Sequence, residues 1–427
     1  MTRPRLGALL AKPSTWVVPY VALWAIVGLL PIQPTDLDIF FWPSAKVAVE
    51  GHPLLVYSAS GQGAYPNANG PVALLPLSLV GLVAHALGWL DSMHERRAMA
   101  LAVFSLFVLL MAREAVNAIE RLRGSRLSPY PRLLLAAVLA LSPPVWQSVA
   151  GYGHIEQPIE IWLLLVAARL LQADRTLTAG LAFGLAILSR SPAVMQSIPF
   201  ALASWRHGPR RFALLFATTG VTGAAVLVPF LLADPADVIH SLFTYRGGLP
   251  VGAGSVWSLT HGGGLEPLVQ HWDVAAIAAA VIAANLWLAS RPGLDETRLF
   301  AGMTLTAACF ALLAKTVWPY YFFEVFVFGT VWAAGRWRAD ETPLRLVLPP
   351  IILSALGMVA EVGSAQGLPD VAIEIEGVGM FAMLGMTALW MLGVASLPPP
   401  DEAGMGDTPA TFQGHGAGAG DRHEGTR

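Results

Sequence analysis

The chain has 427 residues, 55% hydrophobic and 13% charged, with a mean hydropathy of +0.59. A soluble domain carries about 25% charged residues, so this composition excludes one and points to an all-α, polytopic membrane protein. The chain shows no basic, aromatic-interleaved stripe of the kind that binds nucleic acid, and the single Cys309 excludes an intrachain disulfide or a cysteine metal site.

In chain order, the basic start "MTRPRLGALLAKPSTW" leads into an apolar run but lacks a small-residue cleavage site, and reads as a retained first span. A span needs roughly 20 mainly apolar residues, fewer where the helix is packed inside a bundle. Runs that qualify are 14–32, 98–112, 133–149, 158–172, 176–190, 192–205, 211–233, 273–290, 298–315, 318–335, 345–361 and 377–397, about 12 spans in all. The run 71–90 is apolar enough to cross, yet Pro71, Pro76, His85 and Trp89 also suit a helix lying along the membrane. The Pro/Gly-rich stretch 398–427 reads as a disordered cytoplasmic tail after a transmembrane domain over 1–397.

Charge decides how the spans are oriented. With a cytoplasmic N-terminus and 71–90 not crossing, six of the 26 Lys and Arg fall outside: Lys46, Arg96, Arg97, Arg190, Arg246 and Lys315. If 71–90 crosses, all that follows inverts and only 8 of the 26 remain inside. The first arrangement wins. It makes the protein a multi-pass cell-membrane protein with both termini cytoplasmic, and puts its unusual polar segments on the extracytoplasmic face.

The first of these, "TDLDIFFWPSAKVAVEGHPLLVY", holds Asp36 and Asp38, which can serve as general base, sugar-hydroxyl acceptor, metal ligand or helix N-cap. In "AYPNANGPVALLPL", Tyr65 and Asn67 stand before a proline-started helix. "GYGHIEQ" offers His154, Glu156 and Gln157 side by side, with Gly151 and Gly153 letting backbone approach a ligand. Arg190 and Lys315 are isolated cations at outer helix ends, suited to a phosphate or to headgroups, and Tyr320 and Tyr321 follow as interfacial or sugar-stacking aromatics. The long loop 234–272, with Trp257 and His261, suits a lid.

The order "TDLDIFF", "GHPLLVY", "AYPNANGPVALLPL", "GYGHIEQPIEIW", "GLAILSRSP" and "KTVWPYYFFEVF" resembles the GT-C superfamily of polyprenol-phosphate-sugar-dependent glycosyltransferases, closest to glycosyltransferase family 87 of actinobacterial mannosyltransferases. The likeness covers about residues 15–335. Where many of those mannosyltransferases carry a histidine pair, this chain has Trp318, Pro319, Tyr320 and Tyr321. The resemblance implies a GT-C-like bundle with juxtamembrane helices in its first outer loop. It also implies transfer of a sugar, most naturally mannose, from a polyprenyl-phosphate donor to a lipid or glycan acceptor hydroxyl, without a metal. Asp36 or Asp38 would be the base, and Arg190 and Lys315 would hold the donor phosphate. Tyr65, Asn67, His154, Glu156, Gln157, Trp257, His261, Tyr320 and Tyr321 would contact substrate. The other classes compatible with the sequence are a transporter or flippase for a lipid-linked sugar and a non-catalytic membrane scaffold.

Overall fold

The computed structural model describes residues 14–30, 35–58, 65–252, 255, 257, 260, 263–291 and 297–336. The expected spans 345–361 and 377–397, the tail 398–427 and His261 lie outside them. Among the described residues there are helices and turns and no strand. The main helices are α1 (Ser14–Gly28), α2 (Trp42–Val49), α3 (Pro71–Ala86), α4 (Met93–Leu122), α5 (Pro129–Leu141), α6 (Glu156–Gln172), α7 (Thr176–Ile187), α8 (Ser197–Arg206), α9 (Pro209–Ala233), α10 (Glu266–Ala289), α11 (Arg298–Leu313) and α12 (Phe322–Gly335).

Among the described residues, four segments are long and apolar enough to cross a membrane: α4, α9, α10 and the stretch Pro129–Gly151 that begins with α5. Of the other expected spans, 345–361 and 377–397 lie outside the described residues, and several of the rest are apolar helices of 10–17 residues. Ser142-Pro143-Pro144 ends α5 at Leu141, after which a short turn and a π-helical turn (Gln147–Gly151) complete the stretch. The expected span 192–205 is a 3₁₀ helix (Ser191–Gln196) running into the 10-residue α8, in place of one continuous α-helix. The run 71–90 yields the 16-residue α3, with Pro71 at its first position, where a missing N–H costs nothing.

The bundle is built around α4 and α12. Every residue of α12 is buried, and α12 packs against α4 and α11, while α4 also meets α1 and α6. In contrast, only 11% of the most apolar stretch of α9 is buried. An apolar helix with so little protein around it fits a lipid-facing position. Close crossings rest on small residues, as is usual where lipid removes the hydrophobic drive between helices. A Cβ on Gly28 would lie 2.5 Å from the Ala98 backbone, and one on Gly180 would lie 2.6 Å from the Leu215 carbonyl.

Connectivity gives the bundle two polar ends. One carries the first turn of α4, the N-termini of α6 and α12, the C-terminus of α7, and the segment Thr35–Phe41. The other carries the C-termini of α4 and α6 and the N-termini of α5 and α9, tied by Arg132–Glu120, Arg169–Glu114 and Arg211–Asp174.

Candidate functional site

The first end is assembled from three chain segments, each bent by a π-helical turn: Leu37–Phe41, Gln147–Gly151 and His240–Thr244. Such turns re-aim side chains and concentrate at functional sites. Here they deliver Asp36, His154 and the Tyr245–Arg246 pair. The backbone fixes the first two against each other: Asp36 N–H donates to the Tyr152 carbonyl at 2.8 Å. Gly153 makes that approach feasible. Its φ of +76° is one that L side chains rarely adopt, and a Cβ there would sit 2.5 Å from Thr35 Oγ1 and 2.6 Å from Leu37 N. The sequence reading expected Gly153 to make room for a ligand; it makes room for the strand of chain that bears Asp36.

The two acids of "DLD" separate clearly. Asp38 is buried and fully partnered: its carboxylate takes Arg97 at 2.6 Å, Arg96 at 3.5 Å, the Thr35 backbone N–H at 3.0 Å and the Thr35 hydroxyl at 3.2 Å. It ties the Asp36 segment to α4. Arg96 in turn lies over the Trp42 ring, 5.2 Å from its centroid. Asp36 keeps 27% of its side chain exposed and has one charged partner among the described residues, His154 Nε2 at 2.9 Å.

From His154 the charges continue inward. Its Nδ1 meets Glu156 at 2.6 Å, and Glu156 lies 3.6 Å from Arg190 Nε. Arg190 also pairs with Glu160 at 3.3 Å and with Glu324 at hydrogen-bond contact, and its guanidinium lies 5.4 Å from the centre of the Tyr321 ring. Burial would push the His154 imidazole down; the carboxylates of Glu156 and Asp36 on its two nitrogens outweigh that and hold it above its ordinary value. Glu156 Oε2 and Glu160 Oε1 are buried without a hydrogen-bond partner. In this network four carboxylates share two cations, His154 and Arg190.

Several expectations change as a result. Arg190 is 1% exposed and surrounded by acids, so it faces no open space where a phosphate could sit. Lys315 is 3% exposed, and its Nζ donates to the Gly247 carbonyl at 2.8 Å and the Gln270 carbonyl at 2.9 Å. It fastens a loop. Trp257 Nε1 donates to the Leu313 carbonyl at 2.7 Å, holding the same loop to the end of α11 in place of a substrate. Tyr320 and Tyr321 are buried, Tyr320 against the His154 ring with centroids 3.8 Å apart, so neither offers a free stacking face. Gln157 links the Ser148 hydroxyl to the Tyr320 carbonyl. Asn67 is buried and accepts from the Asn69 N–H, with its Nδ2 unpartnered. Tyr65 is 58% exposed and stands 5.2 Å from Phe40, ring to ring.

The mouth of the site is therefore Asp36, Phe40, Tyr65 and Tyr245, the last 6.5 Å from Phe40 and raised in pKa by burial and the Asp36 carboxylate. An open cleft of about 540 Å³ between Gly248, Pro250, Glu266 and Gln270 adjoins the loop that Lys315 holds.

Sequence reasoning passed over Glu160, Glu324, Arg97 and Arg246. Two of these left a readable signal: Glu160 follows Glu156 by one helical turn on the same face, and Glu324 is an acid inside an apolar run, where acids are costly. Among the described residues, no group of His, Cys, Asp and Glu is arranged to hold a metal ion. No protein-family profile matches this chain, and no curated protein matches it.

Proposed function

We propose that this chain is an inverting glycosyltransferase of the GT-C kind, using a polyprenyl-phosphate sugar at the extracytoplasmic face. The observation that carries this reading is Asp36, the partly exposed carboxylate at the outer end of a buried charge network. A general base needs an open side toward its substrate and a held geometry behind it. Asp36 has both: the mouth in front, and His154 behind, itself fixed by Glu156.

In the reaction, Asp36 takes the proton of an acceptor hydroxyl as that oxygen bonds to the anomeric carbon. The bond from that carbon to the phosphate oxygen breaks, and polyprenyl phosphate leaves with the electron pair. Attack opposite the leaving group inverts the anomeric centre, as in the inverting carboxylate geometry of sugar hydrolysis. Asp38 acts through position only, by anchoring the segment that carries Asp36. The aromatic rim of Phe40, Tyr65 and Tyr245 suits the faces of a sugar ring. Mannose is the first sugar to try; a lipid or glycan is the acceptor class.

The test is transfer by purified full-length protein in nanodiscs, from polyprenyl-phosphate mannose or arabinose to a membrane lipid extract, with the product's anomeric configuration read by NMR. Inverted product supports the reading, and retained configuration contradicts the single-displacement mechanism. A second reading, a transporter or flippase for a lipid-linked sugar, has the buried Arg190–Glu160–Glu324 group in its favour, since ionisable groups inside helices often line a path. Translocation of a fluorescent lipid-linked sugar without any transfer would select it.

A further inference from the structure

The charge pattern leaves six Lys and Arg at the end of the bundle that holds the site: Lys46, Arg96, Arg97, Arg190, Arg246 and Lys315. Five are committed. Lys46 pairs with Asp91 at 3.1 Å, Arg96 and Arg97 with Asp38, Arg190 with three glutamates, and Lys315 with two backbone carbonyls. Arg246 is the exception among them: its side chain makes no ion pair or hydrogen bond with any described residue, and its Nε is buried without a partner. The residue is half-buried and its two terminal nitrogens are not enclosed, so the guanidinium fork is open to a ligand's acceptors.

The fold holds Arg246 in place without using it. It opens the 3₁₀ turn Arg246–Gly248, directly after the π-helical turn His240–Thr244. The Gly247 carbonyl of that turn accepts from Lys315 Nζ at 2.8 Å, and the Leu249 carbonyl accepts from Gln270 Nε2 at 2.7 Å. Neighbouring Tyr245 faces Phe40 at the mouth, and the positive charge of Arg246 reaches Glu324, Tyr320 and Tyr245. A clamped turn thus presents one uncommitted, fork-shaped donor beside a network that has no cation to spare.

We infer that Arg246 is the anion-binding residue of this site, that its ligand is a phosphate ester such as the head of a polyprenyl-linked substrate, and that Lys315 positions it by pinning its turn. The guanidinium fork matches phosphate oxygens two at a time, which an ammonium cannot do. This rests on the glycosyltransferase reading for the identity of the lipid, though not for the presence of an anion site.

The experiment is equilibrium binding to full-length protein in nanodiscs, with polyprenyl monophosphate and inorganic phosphate as separate probes, followed by intrinsic tryptophan fluorescence. Wild type should bind, and Arg246→Gln should weaken binding by about tenfold or more, the loss of a charge-assisted bond. Arg246→Lys should recover part of it. Because the Arg246 side chain has no ion-pair or hydrogen-bond partner among the described residues, Arg246→Gln should melt at the wild-type temperature, so lost binding is not lost structure. Binding that depends on Arg246 in a protein with no transfer activity would keep this inference and sink the catalytic one. Tighter binding of the polyprenyl probe assigns the site to a lipid headgroup, and equal binding of inorganic phosphate assigns it to a soluble ester. Binding unchanged in Arg246→Gln, or no binding of either probe by wild type, overturns the inference.

Discussion

The two polar ends of this bundle use the same residue types to opposite effect. At the basic end, Arg211 pairs with Asp174 at 2.6 Å while the aspartate side chain stays 66% exposed, and Arg132 reaches Glu120 at 3.5 Å with its own side chain 44% exposed. Pairs of this kind contribute about 0–1 kcal/mol, because water and salt screen them. At the other end Arg190 is 1% exposed among Glu156, Glu160 and Glu324. Burying that many charges is costly, and the cost is recovered only if the geometry is good. The basic end has the character of an orientation signal; the buried end has the character of a site. Charge alone does not separate them, and desolvation does.

The largest effect should come from breaking the buried network. Arg190→Met leaves three carboxylates in the interior without their cation, and should cost about 3–5 kcal/mol. Arg211→Met at the basic end should cost about 1 kcal/mol or less. Thermal melting in detergent distinguishes the two, and equal shifts would erase the contrast. Next in size is the tie between Asp38 and Arg97. Arg97→Met removes the nearer of Asp38's two arginines, leaving Arg96 and Thr35, and should cost about 1–3 kcal/mol, as loss of a buried hydrogen bond to a charged group does. Proteolysis within the segment preceding α2 should accelerate with it.

Two glycines sharpen the comparison further. Gly153 (φ +76°) and Gly208 (φ +110°) both take backbone angles that favour glycine, one at each end. A Cβ meets Thr35 and Leu37 at the first and nothing within 4 Å at the second. Gly208→Ala should cost about 1 kcal/mol of backbone strain. Gly153→Ala should cost more and also reduce sugar transfer, since it pushes away the segment carrying Asp36.

The smallest effect is a pH dependence. Burial opposes the charge on His154, but Glu156 and Asp36 raise its folded pKa above the ordinary value of about 6.5. The stability from that imidazolium is therefore fully present below about pH 6.5 and fades as pH rises through the raised folded value. His154→Gln should remove this slope from a plot of melting temperature against pH, and an unchanged slope would assign it elsewhere.

The sequence made the class and the ends of the site readable, and left its wiring hidden. Apolar runs announce helices, and isolated polar residues between them mark Asp36, His154, Glu156 and Arg190. What Arg190 pairs with is another matter: Glu324 lies 134 residues away, and no local pattern reports such a contact. Lys315 is a related case. An isolated lysine at a helix end invites an anion, but its partners are backbone carbonyls of a distant loop, which carry no signature in side-chain chemistry. Arg246, inside a Gly-rich stretch, gave no local reason to be chosen; it is distinguished only after the other five cations have found partners.

The measurement closest to the central claim is sugar transfer from polyprenyl-phosphate mannose by wild type, Asp36→Asn and Asp174→Asn, run side by side in nanodiscs. If the buried end is the reacting site and Asp36 its base, Asp36→Asn should lose about 10²–10⁴-fold in rate, while Asp174→Asn, at the basic end, transfers as wild type does. Equal rates for wild type and Asp36→Asn, with both proteins folded, would contradict the account.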